Sequence, residues 1–206
     1  NIEVGIDSNS VIKKPLKNNS KPIVFYGTSI TQGGCASRPG MAHTNIISRK
    51  LDIDCINFGF SGNGRMEQPI AKVISELDPV FYVIECLPNM MSAEEITNRT
   101  IPLVKTIREK RPETPIVFVE NFIYEPSILD KEMDANIKKL NTALKTEYTK
   151  MLEGGFDNIF YVNSENATGD DHEGTVDGVH FTDLGFIRYA DFLIEKFVQF
   201  GLITKE

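Results

Sequence analysis

Five short apolar segments, spaced regularly along the chain, constrain its fold more than any other feature. Their sequences are PIVFY, IDCINF, PVFYVIEC, PIVFVENF and NIFYV, at residues 22–26, 53–58, 79–86, 115–122 and 158–162. Each is nearly continuous in β-branched and aromatic residues, which is typical of parallel strands buried on both faces. Because the segments alternate with helical patterns, we predict right-handed crossovers and a parallel sheet that helices cover on both sides.

The regions between these strands have the periodicity and the start signals of helices. Apolar residues recur at helical spacing in two of them, namely Met66, Ile70, Val73, Ile74 and Leu77, and Met133, Ile137, Leu140, Leu144 and Tyr148. Ser92 and Glu95 form a capping box at the head of a helix that ends near Arg111. Thr182 predicts the start of the last helix. One face of that helix consists of Phe186, Ala190, Leu193 and Phe197.

The composition narrows the class of protein and its partners. With 206 residues, of which 41% are hydrophobic and 25% charged, the chain suits one globular α/β domain. A net charge of −7 disfavours a nucleic-acid partner, and no apolar run is long enough to span a membrane. Residues 1–21 are rich in Asn, Ser and Lys, so we expect a linker or arm from a preceding domain, with the α/β domain at residues 22–206.

The three cysteines of the chain form neither a disulfide framework nor a zinc motif. Cys55 and Cys86 lie in apolar segments, where small core residues are expected. Cys35 lies near Ser29 and is a candidate nucleophile, but no recognisable motif pairs it with a base. A structural role is therefore favoured for all three.

In parallel α/β sheets ligands bind outside the carboxyl ends of the strands, so the loops after the strands are candidates for a functional site. The loop after the first strand, GTSITQGG, lacks the lysine and the glycine spacing of a P-loop. The loop after the second strand contains Gly62 and Gly64, but Glu67 occupies the third glycine position of a dinucleotide fingerprint, and a carboxylate there would repel pyrophosphate. Both nucleotide interpretations are therefore disfavoured.

Ser29, directly after the first strand, is a candidate nucleophile. Its hydroxyl needs a base to take its proton, and the alternative is that Ser29 and Thr28 only cap the next helix. His43 lies on a predicted helix, as a packing or pocket-wall residue. His172 lies in the acidic loop GDDHEG, which could hold a cation but is more simply a solvated loop.

His180 is the favoured base because Asp177 precedes it by three residues in DGVHFTD. A tight turn would place the Asp177 carboxylate against Nδ1–H and leave Nε2 free to face a serine. The motif follows the last strand, so we expect it on the same sheet edge as Ser29. The pair therefore predicts an acyl-transfer site at this edge.

Such a site also needs donors for a developing oxyanion, and two further loops offer them. Gly62 follows the second strand, and its N–H is unobstructed by a Cβ. Asn89 follows the third strand and can donate from its side-chain amide. Each also has a structural interpretation, as a turn glycine and as a helix-entry residue. The combination of nucleophile, base, acid and two donors on one edge favours acyl transfer.

On these motifs the sequence resembles the SGNH hydrolases of the GDSL esterase/lipase superfamily. YGTSITQG resembles the first of four blocks, FSGNG the second, ECLPN the third and DGVHFTDLG the last. The resemblance covers residues 22 to about 200 and implies a flavodoxin-like three-layer α/β/α sandwich with a five-stranded parallel sheet. Through GCASRPGMA and NFGFSGNGRME the chain further resembles a bacterial subgroup with a preceding β-rich domain.

The resemblance also implies roles for single residues. The implied catalytic triad is Ser29, Asp177 and His180, and the implied oxyanion hole is Ser29, Gly62 and Asn89. The candidates for a substrate pocket are Arg38, His43, Arg65 and Met90. No metal and no organic cofactor are implied. Two positions depart from the family pattern: Thr28 stands where Asp is usual, and Leu87-Pro88 precedes Asn89 where Gly-x-Asn-Asp is common.

The implied function is a serine esterase that hydrolyses carboxylic esters through an acyl-enzyme on Ser29. The expected substrate is a small-molecule or glycan ester with a short acyl group, with acetyl on carbohydrate favoured by the subgroup. The same resemblance favours a periplasmic or extracellular location, although no leader is visible. Two alternatives remain: a catalytically silent carbohydrate-binding module on the same fold and, ranked last, a flavodoxin-like binder of a flavin.

Overall fold

Five parallel strands form the central sheet of the computed structural model, which describes residues 3–13 and 21–204. The strands are β1 (Ile23–Gly27), β2 (Cys55–Gly59), β3 (Tyr82–Glu85), β4 (Ile116–Val119) and β5 (Ile159–Val162). Their order in the sheet is β2-β1-β3-β4-β5, and all neighbouring strands are parallel. This is the strand order of flavodoxin-like folds, so the predicted fold class is confirmed.

Helices connect the strands and cover both faces of the sheet. The α-helices are α1 (Ser29–Gln32), α2 (His43–Leu51), α3 (Gln68–Ser75), α4 (Ala93–Lys110), α5 (Lys131–Glu153) and α6 (Asp183–Gln199). Short 3-10 helices span Pro39–Met41, Leu87–Asn89 and Glu125–Ile128. The Ser92 hydroxyl accepts from the N–H of Glu95 at 3.1 Å at the start of α4, which confirms the predicted beginning of that helix. Thr182 caps α6 in the same way.

The helix predicted from the periodicity that begins at Met66 is shorter than expected. It spans Gln68–Ser75, so Met66 and Leu77 lie outside it. Met66 has a φ of 57°, in the left-handed region, and Glu67 is the N-cap. The Met66 side chain is nevertheless fully buried, as is that of Ile74, whereas Val73 is 51% exposed. The apolar pattern therefore marked the core positions correctly except Val73, and it marked the helix start wrongly.

Each face of the sheet packs against its own hydrophobic core, because alternate strand residues point to opposite faces. On β1, Ile23 and Phe25 join the core beneath α2 and α6, and Val24 and Tyr26 join the core beneath α3, α4 and α5. All four side chains are fully buried. This two-sided burial explains the nearly continuous apolar runs of the sequence.

The amino-terminal segment carries no helix or strand at residues 3–13, all of which are exposed. The remainder of the arm predicted at residues 1–21 lies outside the described residues, apart from Lys21, and its origin in a preceding domain stays a prediction. Among the described residues, no helix combines the length and the apolar character needed to cross a membrane.

The strand order places a topological switch point between β1 and β3. The chain leaves β1 towards β2 on one side, and β3, β4 and β5 follow on the other. Ligands of such sheets bind at the carboxyl ends of the strands next to this switch point. The loops after β1 and β3, which contain Ser29 and Asn89, both begin there.

Candidate active site

Ser29 is the first residue of α1 and is separated from β1 only by Thr28. The buried Thr28 caps the helix, since its hydroxyl accepts from the N–H of Ile30 at 3.3 Å. In return, the Thr31 hydroxyl accepts from the N–H of Thr28 at 3.1 Å, which completes a capping box. The helix is therefore capped by Thr28, and the Ser29 hydroxyl contacts a histidine.

Ser29, His180 and Asp177 form one chain of hydrogen bonds. Ser29 Oγ lies 2.9 Å from His180 Nε2, and His180 Nδ1 lies 2.7 Å from Asp177 Oδ2. If Nδ1–H donates to the carboxylate, Nε2 is the acceptor for the serine hydroxyl. The His180 side chain is 30% exposed and that of Asp177 is 50% exposed, so a substrate can approach the chain from solvent.

A tight turn holds Asp177 against His180, as the three-residue spacing predicts. Asp177 Oδ1 accepts from the N–H of His180 at 2.7 Å and from the N–H of Val179 at 3.0 Å. The backbone N–H and the imidazole of His180 together lower the pKa of Asp177 from 3.8 to about 2. The carboxylate is therefore ionised at any pH near neutrality and orients the imidazole.

The loop after β2 packs tightly against the loop that carries Ser29, and it does so through glycines. A Cβ on Gly64 would lie 1.9 Å from the carbonyl oxygen of Gly27, and one on Gly59 would lie 2.1 Å from the Gln32 nitrogen. At the exposed tip of the loop, Gly62 has a φ of 67°, and a Cβ there would meet no atom within 4 Å. A side chain at Gly62 would therefore point into open space, and the positive φ is what favours glycine there.

Asn89 ends the 3-10 helix that follows β3 and contacts the same loop. Its Nδ2 donates to the carbonyl oxygen of Phe60 at 3.2 Å and to that of Asn63. These two residues flank the tip at Gly62, so the side chain of Asn89 holds the loop at the edge where Ser29 lies. The two predicted oxyanion donors thus lie in neighbouring loops at the carboxyl edge of the sheet, Gly62 after β2 and Asn89 after β3.

A buried carboxylate, Glu85 at the end of β3, lies behind Ser29 and was not predicted. Its Oε1 accepts from the Thr31 hydroxyl at 2.7 Å and pairs with His43 Nε2 at 2.8 Å. Its Oε2 accepts from the Tyr189 hydroxyl at 3.1 Å. Glu85 thereby connects α1 with α2 and with α6, the helix that follows His180. We name these four side chains the Glu85 network.

The four pocket candidates have different environments. Arg38 is exposed and lies 3.7 Å from the carboxylate at the start of α6. Arg65 Nη2 donates to the carbonyl oxygen of Gly62 at 3.3 Å, beside the predicted oxyanion loop. Met90 is only 4% exposed and His43 has no exposed surface. Contrary to the pocket prediction, Met90 packs in the core. His43 pairs with Glu85 and is a packing residue, which was one of its two predicted alternatives.

The candidate nucleophile Cys35 lies beside the proposed base. One donor atom from each of Cys35, Asp177 and His180 lies within 4.8 Å of the other two. No sequence motif pairs Cys35 with Asp177 and His180. The fold brings Cys35 to them from a distant part of the chain. Cys86 is buried and Cys55 is partly buried, as predicted for core residues.

A large groove lies between α5 and the segment 163–172. Its volume is about 1430 Å³, and its lining includes Glu120, Tyr161 and Lys145 but none of the predicted triad or oxyanion residues. The Tyr161 hydroxyl donates to Glu120 at 2.7 Å, and the Lys145 ammonium lies 4.1 Å from the centre of the Tyr161 ring. These polar groups are engaged with one another, so we assign the chemistry to the smaller, convergent site at Ser29.

The fold and the hydrogen bonds among Ser29, His180 and Asp177 together define an α/β protein with a serine–histidine–aspartate site. The model of the GDSL-like lipase/acylhydrolase family matches residues 20–198. The chain belongs to this family, which confirms the family resemblance of the sequence motifs. The curated proteins contain no match to the chain.

Solved structures agree with the family. A protein from Bacteroides ovatus ATCC 8483, assigned as a GDSL-like lipase, is 35% identical with a TM-score of 0.90 over 98% of this chain and 59% of its own. Salicylyl-acyltransferase SsfX3 from a tetracycline biosynthetic pathway is 18% identical, with a TM-score of 0.79 over 91% of this chain and 57% of its own. A two-domain esterase (CEX) active on acetylated mannans is 20% identical, with a TM-score of 0.64 over 91% of this chain and 51% of its own. The chain therefore spans little more than half the length of these three proteins, and the last two support the fold alone.

Proposed function

We propose that this domain is a serine esterase that hydrolyses carboxylic esters with short acyl groups, with acetyl groups on carbohydrate as the favoured substrate. The single observation that carries the proposal is the chain of contacts from Ser29 Oγ to His180 Nε2, at 2.9 Å, and from His180 Nδ1 to Asp177 Oδ2, at 2.7 Å. Nucleophile, base and orienting carboxylate are thus within hydrogen-bond reach of one another.

In the acylation step, Ser29 Oγ attacks the ester carbonyl carbon while its proton moves to His180 Nε2. Asp177 remains ionised and stabilises the imidazolium through Nδ1–H. When the tetrahedral intermediate collapses, the bond to the leaving oxygen breaks, and the imidazolium gives its proton to that oxygen. The alcohol or sugar leaves, and the acyl group stays on Ser29.

The oxyanion of the tetrahedral intermediate is bound by donors from three loops. We assign this role to the N–H groups of Ser29 and Gly62 and to the side-chain amide of Asn89. The glycine contacts described above bring the loop of Gly62 against α1, which supports a preorganised arrangement. Binding an oxyanion requires Asn89 Nδ2 to exchange one of its two present carbonyl acceptors for the developing charge.

Deacylation repeats the sequence with water as the nucleophile. His180 Nε2 takes a proton from the water, whose oxygen attacks the acyl carbon, and then returns a proton to Ser29 Oγ. The carboxylic acid leaves and the serine is restored. These steps need only the side chains and backbone groups named above.

Two structural relatives support a short acyl group on a carbohydrate. A carbohydrate esterase of family two from Clostridium thermocellum, solved with cellohexaose, shares this fold with a TM-score of 0.63 at 16% identity. The esterase active on acetylated mannans shares it with a TM-score of 0.64 at 20% identity.

The test is hydrolysis of p-nitrophenyl acetate, butyrate and octanoate by the wild type and by Ser29→Ala, followed by acetate release from acetylated oligosaccharides. We expect rates that fall with acyl length in the wild type and loss of activity on the order of 10⁶-fold in the variant. Labelling of Ser29 by an organophosphonate provides a second readout. Background rates and no labelling in the wild type would refute the esterase and favour the silent binding module.

A further inference from the structure

Cys35 brings a thiol to the Asp177–His180 pair from a different loop. It follows Gly34, where an added Cβ would lie 3.6 Å from His180 Cδ2, so this loop packs against the imidazole ring. Sulfur, ring nitrogen and carboxylate oxygen lie within 4.8 Å of one another. Among the residues that the structure describes, no other group of three histidine, cysteine or acidic side chains meets at this distance.

Thiolate, imidazole and carboxylate are the three ligand types of zinc sites in proteins. They bind Zn²⁺ at about 2.0–2.3 Å, which puts neighbouring ligands of a tetrahedral ion roughly 3.5 Å apart. Side-chain shifts of about 1 Å would therefore bring all three onto one ion and leave its fourth position open. Cys35 and Asp177 are exposed and His180 is partly exposed, so an ion can reach them from solvent.

We propose that Cys35, Asp177 and His180 form an inhibitory site for a soft divalent cation of the Zn²⁺ type. The inference rests on the proposed function, because it concerns the regulation of the same site. When the zinc–sulfur bond forms, the thiol releases its proton to solvent and the imidazole gives a nitrogen lone pair to the ion. An imidazole bound through Nε2 cannot accept the Ser29 proton, and one bound through Nδ1 loses its contact with Asp177.

The chain contains a matched pair without a thiol. His172 Nδ1 lies 2.7 Å from Glu125 Oε2, the same separation as in the Asp177–His180 pair, and both residues of this second pair are at the surface. A histidine beside a carboxylate is thus present in both pairs, with His172 exposed and His180 partly exposed, and Cys35 supplies a thiol to the Asp177–His180 pair only. Removal of His172 is therefore the control for unspecific binding of the ion.

The experiment titrates Zn²⁺ calorimetrically into the wild type, Cys35→Ser and His172→Gln. We expect the affinity of Cys35→Ser to be lower on the order of 100-fold or more, since loss of a direct ligand exceeds the 10–100-fold effect of an outer partner. His172→Gln should bind like the wild type. With Co²⁺ as a spectroscopic probe, the wild type should show thiolate-to-metal charge-transfer absorption that Cys35→Ser lacks.

Inhibition is measured as the ratio of p-nitrophenyl acetate hydrolysis with and without Zn²⁺ within each variant. At Zn²⁺ concentrations that leave the ratio for Cys35→Ser near one, the wild type and His172→Gln should lose activity. EDTA should restore the activity of both. Equal affinities in the wild type and Cys35→Ser, or binding through Cys35 without inhibition, would overturn the inference. A wild type that shows the Co²⁺–thiolate band but hydrolyses no ester would refute the proposed function while supporting the metal site.

Discussion

Replacement of Glu85 is the sharpest test of how the buried network supports the site. Glu85 is 5% exposed, and three donors converge on its carboxylate, from Thr31 at 2.7 Å, from His43 at 2.8 Å and from Tyr189 at 3.1 Å. Leucine has nearly the same size but accepts no hydrogen bond. Glu85→Leu therefore leaves three buried donors without an acceptor.

The expected loss of stability follows from these contacts. Each buried donor that loses its partner costs roughly 1–3 kcal/mol. Because the hydroxyls of Thr31 and Tyr189 can rotate towards other acceptors, we expect Glu85→Leu to lower the free energy of unfolding by about 3–5 kcal/mol. Glu85→Gln keeps one acceptor oxygen for Thr31 and His43 and offers its NH₂ to the Tyr189 oxygen, so its loss should be only about 1–2 kcal/mol.

The variants should also differ in catalysis, since Glu85 positions α1 and thereby Ser29. In Glu85→Gln we expect kcat to fall on the order of tenfold with KM nearly unchanged, because small shifts of a nucleophile slow the chemistry more than binding. Glu147 is the matched control: it is 2% exposed, lies on α5 and pairs with Lys150 at 2.7 Å. Glu147→Gln should leave kcat at its wild-type value.

The assay is urea unfolding followed by far-ultraviolet circular dichroism, together with steady-state hydrolysis of p-nitrophenyl acetate. Equal slopes of the unfolding curves would show that the variants differ in stability and not in their unfolded states. Two results would refute the reasoning. One is a Glu85→Leu variant within about 1 kcal/mol of the wild type, and the other is equal destabilisation by leucine and glutamine.

Three further predictions concern the loops of the site. Asn89→Ala should lower kcat by about 100- to 1000-fold with little change in KM, and unchanged kinetics with p-nitrophenyl acetate would exclude Asn89 as an oxyanion donor. Gly64→Ala should lower the free energy of unfolding, measured in urea, by about 1–3 kcal/mol, because its Cβ would lie 1.9 Å from the Gly27 carbonyl oxygen. Gly155→Ala is the control and should cost less, because its Cβ would meet no atom within 4 Å. Equal losses in the two variants would contradict this. The folded-state pKa of Asp177 is lowered from 3.8 to about 2, so its contribution to stability is present above pH 3.8 and lost as the pH falls towards about 2. Acid unfolding curves of the wild type and Asp177→Asn should therefore converge near pH 2, and a constant offset would show that the contribution is not ionic.

The sheet and the convergence of Ser29, His180 and Asp177 were predictable because both depend on local pattern and topology. Strands buried on both faces leave continuous apolar runs, and parallel connection puts all their carboxyl ends on one edge. Ser29 and His180 are 151 positions apart. Only Thr28 separates Ser29 from β1, and His180 lies in the connection from β5 to α6, so parallel topology puts both in loops at the carboxyl edge of the sheet. The three-residue spacing of Asp177 and His180 is a local turn and needed no tertiary information.

The Glu85 network and the position of Cys35 could not be derived in the same way. The burial of His43 depends on how α2 packs against α6, which periodicity does not reveal. One signal was available for Glu85: a carboxylate inside an apolar strand run is almost never fully buried without partners. Cys35 has a φ of 70°, and no sequence pattern predicts a left-handed turn that brings a non-glycine side chain to the base.

Glu85 also gives a physical reason for Thr28, which stands where the family usually has Asp. Threonine and aspartate both cap helices well, so capping alone does not separate them. Thr28 and Glu85, however, line the same cavity of about 10 Å³, and Thr31 bridges them by bonding to both. A second carboxylate at position 28 would face Glu85 with little water between them, and two desolvated like charges repel.

A double-mutant cycle tests this reason for threonine at position 28. We expect Thr28→Asp to destabilise the wild type by about 1–3 kcal/mol and to cost at least about 1 kcal/mol less when Glu85→Gln is present, because the repulsion then disappears. Thr28→Asn has the shape of aspartate without its charge, so its cost should be the same in both backgrounds. If Thr28→Asp and Glu85→Gln add within about 0.5 kcal/mol in urea unfolding, the two positions are not coupled. Threonine at this position would then reflect its own packing and not the carboxylate beneath it.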